Sequence, residues 1–134
     1  MIVVDTSALI AIALQEPAAT SLSLALAGED LLISAATLAE VLIVAGRRGA
    51  ETEAEMARLI DELGMEIVPV TIVAARAAAR AYGRWGKGVH PAALNFGDCF
   101  SYALAKERGC ALAYIGTDFA RTDIPSALDP AGPG

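Results

Sequence analysis

The sequence predicts an α/β domain: a central, mostly parallel sheet of about four or five strands with helices on both faces. Two observations carry this. Short apolar runs alternate with helical segments, and strands separated by one or two helices pair in parallel. The runs are also apolar throughout rather than alternating with polar residues, as strands buried on both sides are. The chain of 134 residues is near the common size of one domain and long enough to bury a core. It contains neither an internal repeat nor a linker, so residues 1–127 are read as one domain and residues 128–134, ending "DPAGPG", as a flexible tail.

The elements follow in order. "IVV" (Ile2 to Val4) is a strand, and "SALIAIALQ" a helix. Pro17 suits the first turn of a second helix running to about Ala27. "LLIS" (Leu31 to Ser34) is the next strand, followed by a helix from about Thr37 to Arg48. Glu51 to Leu63 is amphipathic, with Met56, Leu59, Ile60 and Leu63 on one side and acids elsewhere. "EIVPV" (Glu66 to Val70) is a third strand, where Pro69 marks an end or an edge. A helix from about Ile72 to Trp85 leads into the glycine-rich loop "GKGVHPAALN". A helix from Phe96 to about Arg108 and a fourth strand, "ALAYI" (Ala111 to Ile115), complete the set.

Composition excludes several classes. The chain is 55% hydrophobic, but no apolar run approaches the roughly 20 residues of a membrane span. The opening "MIVVDTSALIAIALQE" lacks a basic leader and is broken by Asp5, unlike a signal peptide. Cys99 and Cys110 have neither metal-ligand spacing nor a disulfide framework around them, and read as reduced, buried thiols of a cytoplasmic protein. A formal charge of −6 argues against gripping nucleic acid through overall charge. It leaves open phosphate binding through bound cations or a local basic patch. Arg76, Arg80 and Arg84 supply such a patch, recurring every four residues along one helix face, with Lys87 and His90 extending it toward Asp98. A solvated helix face is the equal alternative. Arg47 and Arg48 read as charges at a helix C-terminus.

Four carboxylates stand in unusual places. Asp98 sits among apolar residues in "LNFGDCFSYALA", although burying an unpaired charge costs several kcal/mol. Asp5 directly follows the first strand, Glu40 lies in "TLAEVLIVAG", and Asp118 follows the last strand in "AYIGTDF". Each has an ordinary explanation. Asp98 could complete a capping box with Asn95, Asp5 could cap the next helix, and Thr37 with Glu40 spell a T-x-x-E capping box. Asp118 could occupy a turn, and Asp123, in "RTDIP", a loop. Their shared location makes the joint explanation less comfortable. Asp5 and Asp118 lie beyond strand ends, and Glu40 and Asp98 in the first turns of helices, places that converge on one edge of an open parallel sheet. Carboxylates meeting there repel one another unless a proton or a cation intervenes. Oxygen ligands alone point to Mg²⁺ or Mn²⁺ rather than zinc, and such a site suits phosphate-ester hydrolysis.

These residues, "VVDTSAL", "AEVL", "LNFGDCFSYALA" and "GTDF" followed by "TDI", in this order across nearly the whole chain, resemble the PIN-domain ribonucleases. More closely, the chain is similar to the toxin component, VapC, of the bacterial type II VapBC toxin–antitoxin systems. The resemblance implies a PIN-like fold in which Asp5, Glu40, Asp98 and Asp118 fall on the family's catalytic acidic quartet. Asp5 and Asp98 then correspond to the most regular metal ligands, with Ser7 a supporting hydroxyl. It further implies an endoribonuclease dependent on Mg²⁺ or Mn²⁺ that hydrolyses RNA by metal-activated water, a homodimer, and a cognate VapB-like antitoxin. Thr117 departs from the asparagine frequent before the fourth acid. His90 lies in a stretch also usual in the family.

Other readings fit less well. A haloacid-dehalogenase phosphatase needs a second aspartate where Ser7 stands, and a receiver domain needs a lysine that "AYIGTDF" lacks. A dinucleotide binder needs a G-x-G-x-x-G that is absent. A non-catalytic interaction module, its acids merely capping helices, is the alternative from another class.

Overall fold

The protein is described by a computed structural model over residues 1–128; the residues read as the tail beyond Leu128 lie outside the described part. Four strands, β1 (Ile2–Val4), β2 (Leu31–Ser34), β3 (Glu66–Val68) and β4 (Ala111–Ala113), form one sheet in the order β3-β2-β1-β4. All pairs are parallel. Six α-helices connect them: α1 (Thr6–Ala13), α2 (Ala19–Leu26), α3 (Ala35–Arg48), α4 (Ala50–Leu63), α5 (Ile72–Trp85) and α6 (Phe96–Arg108).

Alternate strand residues feed two separate cores, which is why the strands read as continuously apolar. Val3, Leu32 and Leu112 pack with Ala78, Ala81 and Trp85 of α5 and Leu104 of α6. Ile2, Val4, Leu31, Ile33 and Ala113 face the other way, against α1 to α4 through Leu9, Leu22, Val41 and Met56. Helices therefore cover both faces, as the sequence predicts. None of the helices among the described residues is long and apolar enough to cross a membrane.

Several element ends differ from expectation. Helix α3 starts at Ala35 rather than Thr37, because the Ser34 hydroxyl accepts from the Ala36 amide and caps it there. The Thr37–Glu40 capping box is therefore ruled out, and Glu40 lies beyond the first turn of its helix. Helix α1 ends at Ala13, and Gln15 takes a positive φ of 52° just beyond. Helix α2 begins only at Ala19, leaving Pro17 in the preceding turn. Strand β3 stops at Val68, before Pro69, which has no N–H to donate. Strand β4 stops at Ala113, because the Ile115 amide donates to the Ser7 hydroxyl at 3.0 Å.

The topology places the crevice. From β1 the chain moves first to β2 on one side, and β4 later docks on the other, so the winding reverses beside β1. Ligands of open α/β sheets bind at the carboxyl ends of strands flanking such a reversal.

Candidate active site

Asp5 stands at that reversal, immediately after β1, and is 2% exposed. Its amide donates to the Ala113 carbonyl of β4, which fixes its backbone between the two strands. Its Oδ2 accepts from the Ser7 amide (3.0 Å) and the Ser7 hydroxyl (2.8 Å), and so caps α1. Its Oδ1 accepts from the Ser101 hydroxyl of α6 at 2.7 Å. A buried carboxylate is tolerable only with such donors. Ser7 thereby ties Asp5 to the end of β4 through the Ile115 amide.

Asp98 is in the first turn of α6 and completes a capping box with Asn95. Its Oδ2 accepts from the Asn95 amide at 3.0 Å, while its own amide donates to Asn95 Oδ1 at 2.8 Å. Yet its carboxyl is pushed up from 3.8 to about 7. Burial is the largest cause, opposed by the Asn95 hydrogen bond and reinforced by the negative charges of Asp5, Glu40 and Asp118. The four acids thus feel one another at Asp98.

Glu40 projects from α3 toward the same place. Thr6, one residue after Asp5, donates to its Oε1 at 2.5 Å. Its carboxylate lies against the backbone of Gly97 so closely that a Cβ there would collide with it. A glycine immediately before Asp98 therefore lets the α3 acid rest on the α6 terminus. Asp118 is exposed and precedes a short 3-10 helix (Phe119–Arg121) that its side chain does not cap.

Among the described residues, no three His, Cys, Asp or Glu side chains are grouped so as to hold a metal ion. The electrostatic coupling at Asp98 and this lack of a tight cluster are compatible, because Mg²⁺ is commonly held by one or two carboxylates and keeps several waters. The donor set suits that ion. Among the described residues, Asp98 Oδ1 and Glu40 Oε2 have no donor and Asp5 Oδ1 has one, and the excess negative charge calls for a cation.

The basic residues are only partly gathered. Arg76, Arg80 and Arg84 are all exposed along α5, opposite its buried Ala78, Ala81 and Trp85. Arg80 and Arg84 line a groove of about 510 Å³ between α5 and α6, joined by Lys106, while Arg76 and Lys87 are not among its lining residues. None of the four acids lines this groove. Arg84 lies 4.5 Å over the Trp85 ring and 3.9 Å from Asp123. His90 accepts the Ala92 amide through Nδ1 at 2.9 Å and meets the Trp85 ring edge-on, so its side chain builds the loop.

Three features escaped the sequence reading. Ser101 is one helical turn beyond Asp98, a spacing that puts both on one face, but a serine in an apolar helix gave no reason to single it out. Thr37, weighed only as a cap, is buried and hydrogen-bonds Ser101 at 3.1 Å. Asp123, weighed as a loop residue, accepts from Tyr102 (2.5 Å) and Lys106 (3.1 Å), which hold its carboxyl below the ordinary value although its partial burial pulls upward. The thiols are free, with Cys99 buried and pushed up to about 11, but Cys110 only half-buried rather than buried.

Comparison with known proteins agrees with this architecture. The family model described as "PIN domain" matches residues 2–125. Ribonuclease VapC36 of Mycobacterium tuberculosis is 44% identical over 125 residues, covering 91% of this chain and 90% of that protein. The crystal structure of Mycobacterium tuberculosis VapC20, titled a Sarcin-Ricin loop cleaving toxin, superposes with a TM-score of 0.74 at 19% identity, covering 92% of this chain and 96% of that one. A toxin-antitoxin complex from Klebsiella pneumoniae superposes with a TM-score of 0.67 at 20% identity, covering 92% and 93% of the respective chains. These two structures share the fold. With this match over nearly its whole length, the chain belongs to the PIN domain family, among the VapC ribonucleases.

Proposed function

We propose that the chain is the toxin of a toxin–antitoxin pair, an endoribonuclease that hydrolyses RNA phosphodiester bonds with Mg²⁺ or Mn²⁺ held by Asp5 and Asp98. The observation that carries this reading is the joint effect of Asp5, Glu40 and Asp118 on the Asp98 carboxyl at the sheet reversal. A bound divalent cation supplies charge to steady the scissile phosphate and acidity to a water nucleophile. The protein's own residues do the positioning. Ser7 and Ser101 fix the plane of the Asp5 carboxylate, Asn95 fixes that of Asp98, and Thr6 turns Glu40 toward the α6 terminus. Glu40 and Asp118 complete the acidic quartet, and the α6 N-terminus offers partial positive charge to an approaching phosphate.

RNA reaches so acidic a protein along α5. This helix contributes Arg76, Arg80 and Arg84 and not one acid, and Lys87 follows it. The groove lined by Arg80, Arg84 and Lys106 extends the track along α6, away from Asp98. Cleavage in the cytoplasm of the producing cell requires restraint, which supports a cognate VapB-like antitoxin; the Klebsiella pneumoniae neighbour is itself described as a toxin-antitoxin complex. Exposed Leu42, Ile43, Ile72, Val73 and Phe96 offer apolar surface for that partner and for a homodimer.

The test is incubation of purified protein with total cellular RNA. Cleavage in Mn²⁺ that EDTA abolishes supports the reading; intact RNA in both, with a correctly folded protein, refutes it.

A further inference from the structure

We propose that Ser101, fed by Thr37, is a positioning residue for Asp5 that leaves Oδ1 as the single open ligand atom of that carboxylate; this rests on the metal-dependent reading above. Asp5, Ser101 and Thr37 are 2%, 0% and 1% exposed, so water does not replace any of their contacts. Hydrogen-bond direction along the row follows from chemistry. An ionised carboxylate only accepts, so Ser101 gives its proton to Asp5 Oδ1 at 2.7 Å. Ser101 Oγ therefore has only lone pairs left for Thr37, and Thr37 donates across the 3.1 Å contact. The relay runs from α3 through α6 to the end of β1, joining the elements that carry Glu40, Asp98 and Asp5. A hydroxyl that itself accepts a hydrogen bond donates a stronger one.

A carboxylate offers about four acceptor positions. Both donors on Oδ2 come from Ser7, which fills that oxygen. Among the described residues Oδ1 receives Ser101 alone, so one lone pair stays free, in a direction that Ser101 sets. Asp5 is thereby committed to a cation through one oxygen. Without the Ser101 proton, Oδ1 has no protein donor and the carboxylate swings about its Ser7 contacts.

The experiment is a calorimetric titration of RNA-free, full-length protein with Mn²⁺, paired with unfolding in EDTA. Ser101→Ala should weaken Mn²⁺ binding by about tenfold, the range in which partners of metal ligands act. Thr37→Val, which leaves the serine in place, should weaken it severalfold, and Thr37→Ser should bind as the parent does. A parent-like Mn²⁺ affinity in Ser101→Ala, even with a lower melting temperature in EDTA, overturns the proposal, since Ser101 then only packs. If Ser101→Ala does not fold, the comparison of Thr37→Val with Thr37→Ser decides, and equal Mn²⁺ affinities overturn it. A parent that takes up no Mn²⁺ instead sinks the metal-dependent reading, and the proposal with it.

Discussion

Asn95 and Asp98 bond each other in both directions, Asp98 N–H to Asn95 Oδ1 at 2.8 Å and Asn95 N–H to Asp98 Oδ2 at 3.0 Å. The aspartate is therefore a helix cap, and it is also the acid on which the other three act. These roles use different oxygens: Oδ2 caps, and Oδ1 has no donor among the described residues. Capping explains why α6 begins at Phe96, but it gives no reason for a carboxylate with two further acids pressing on it from β1 and α3.

The metal-free protein should lose stability with rising pH through Asp98. Its folded-state value, about 7, lies above the ordinary 3.8, so the folded chain binds this proton more tightly than the unfolded chain. That contribution is fully present below about pH 4 and disappears as pH rises through about 7. Urea unfolding of parent and Asp98→Asn in EDTA between about pH 5 and pH 8.5 checks this. The difference between the two proteins isolates this group from other carboxylates. The parent should fall relative to the variant across the range; parallel curves contradict the coupling.

Replacing Arg76, Arg80 and Arg84 together by glutamine should weaken RNA binding, measured in EDTA to prevent cleavage. If each arginine neutralises one phosphate, the slope of log affinity against log salt should flatten by roughly 2, at about 0.7 per contact for a single strand. Arg84, already beside Asp123, should contribute least when replaced alone. An unchanged slope returns the stripe to a solvated helix face.

Tyr102→Phe should destabilise the fold by about 1–2 kcal/mol. The hydroxyl accepts from Trp85 Nε1 at 2.9 Å and donates to Asp123, joining α5, α6 and the C-terminal segment. The loss removes one partner from each neighbour without opening a cavity, so chemical unfolding should register it while Mn²⁺ binding stays as in the parent. A loss of metal affinity of tenfold would place this network inside the site, contrary to the geometry.

The alternation of apolar runs and helices was enough to read off the sheet, the helices on both faces and the spans of α5 and α6. Element ends were less legible because they depend on contacts distant in sequence. Ile115 leaves β4 for the Ser7 hydroxyl, more than a hundred residues away, and no local pattern announces that. The Ser34 cap displaced the apparent Thr37–Glu40 box because two plausible cap sequences overlap, and packing selected one. Within the site, the acids stood out as charges in apolar surroundings. Their supporting hydroxyls, Thr6, Thr37 and Ser101, did not, since a buried serine or threonine carries no such contradiction. The aromatic and basic partners of Asp123 were invisible for the same reason as β4's end: Tyr102 and Asp123 meet only after the chain has passed around β4.

On the proposed metal-dependent reading, Asp98 is in α6 to hold a divalent cation beside Asp5, and not only to cap the helix. Paired thermal melts of the parent and Asp98→Asn, in EDTA and in Mn²⁺, with RNA cleavage measured alongside, test it most directly. In EDTA the variant should be at least as stable as the parent, by up to about 1 kcal/mol, because the asparagine still accepts from the Asn95 amide and one repelling charge is gone. With Mn²⁺ the parent should gain stability by mass action and the variant much less, while cleavage by the variant falls by orders of magnitude. A variant that is clearly less stable in EDTA, yet gains as much from Mn²⁺ and cleaves RNA at the parental rate, would make Asp98 a cap and nothing more.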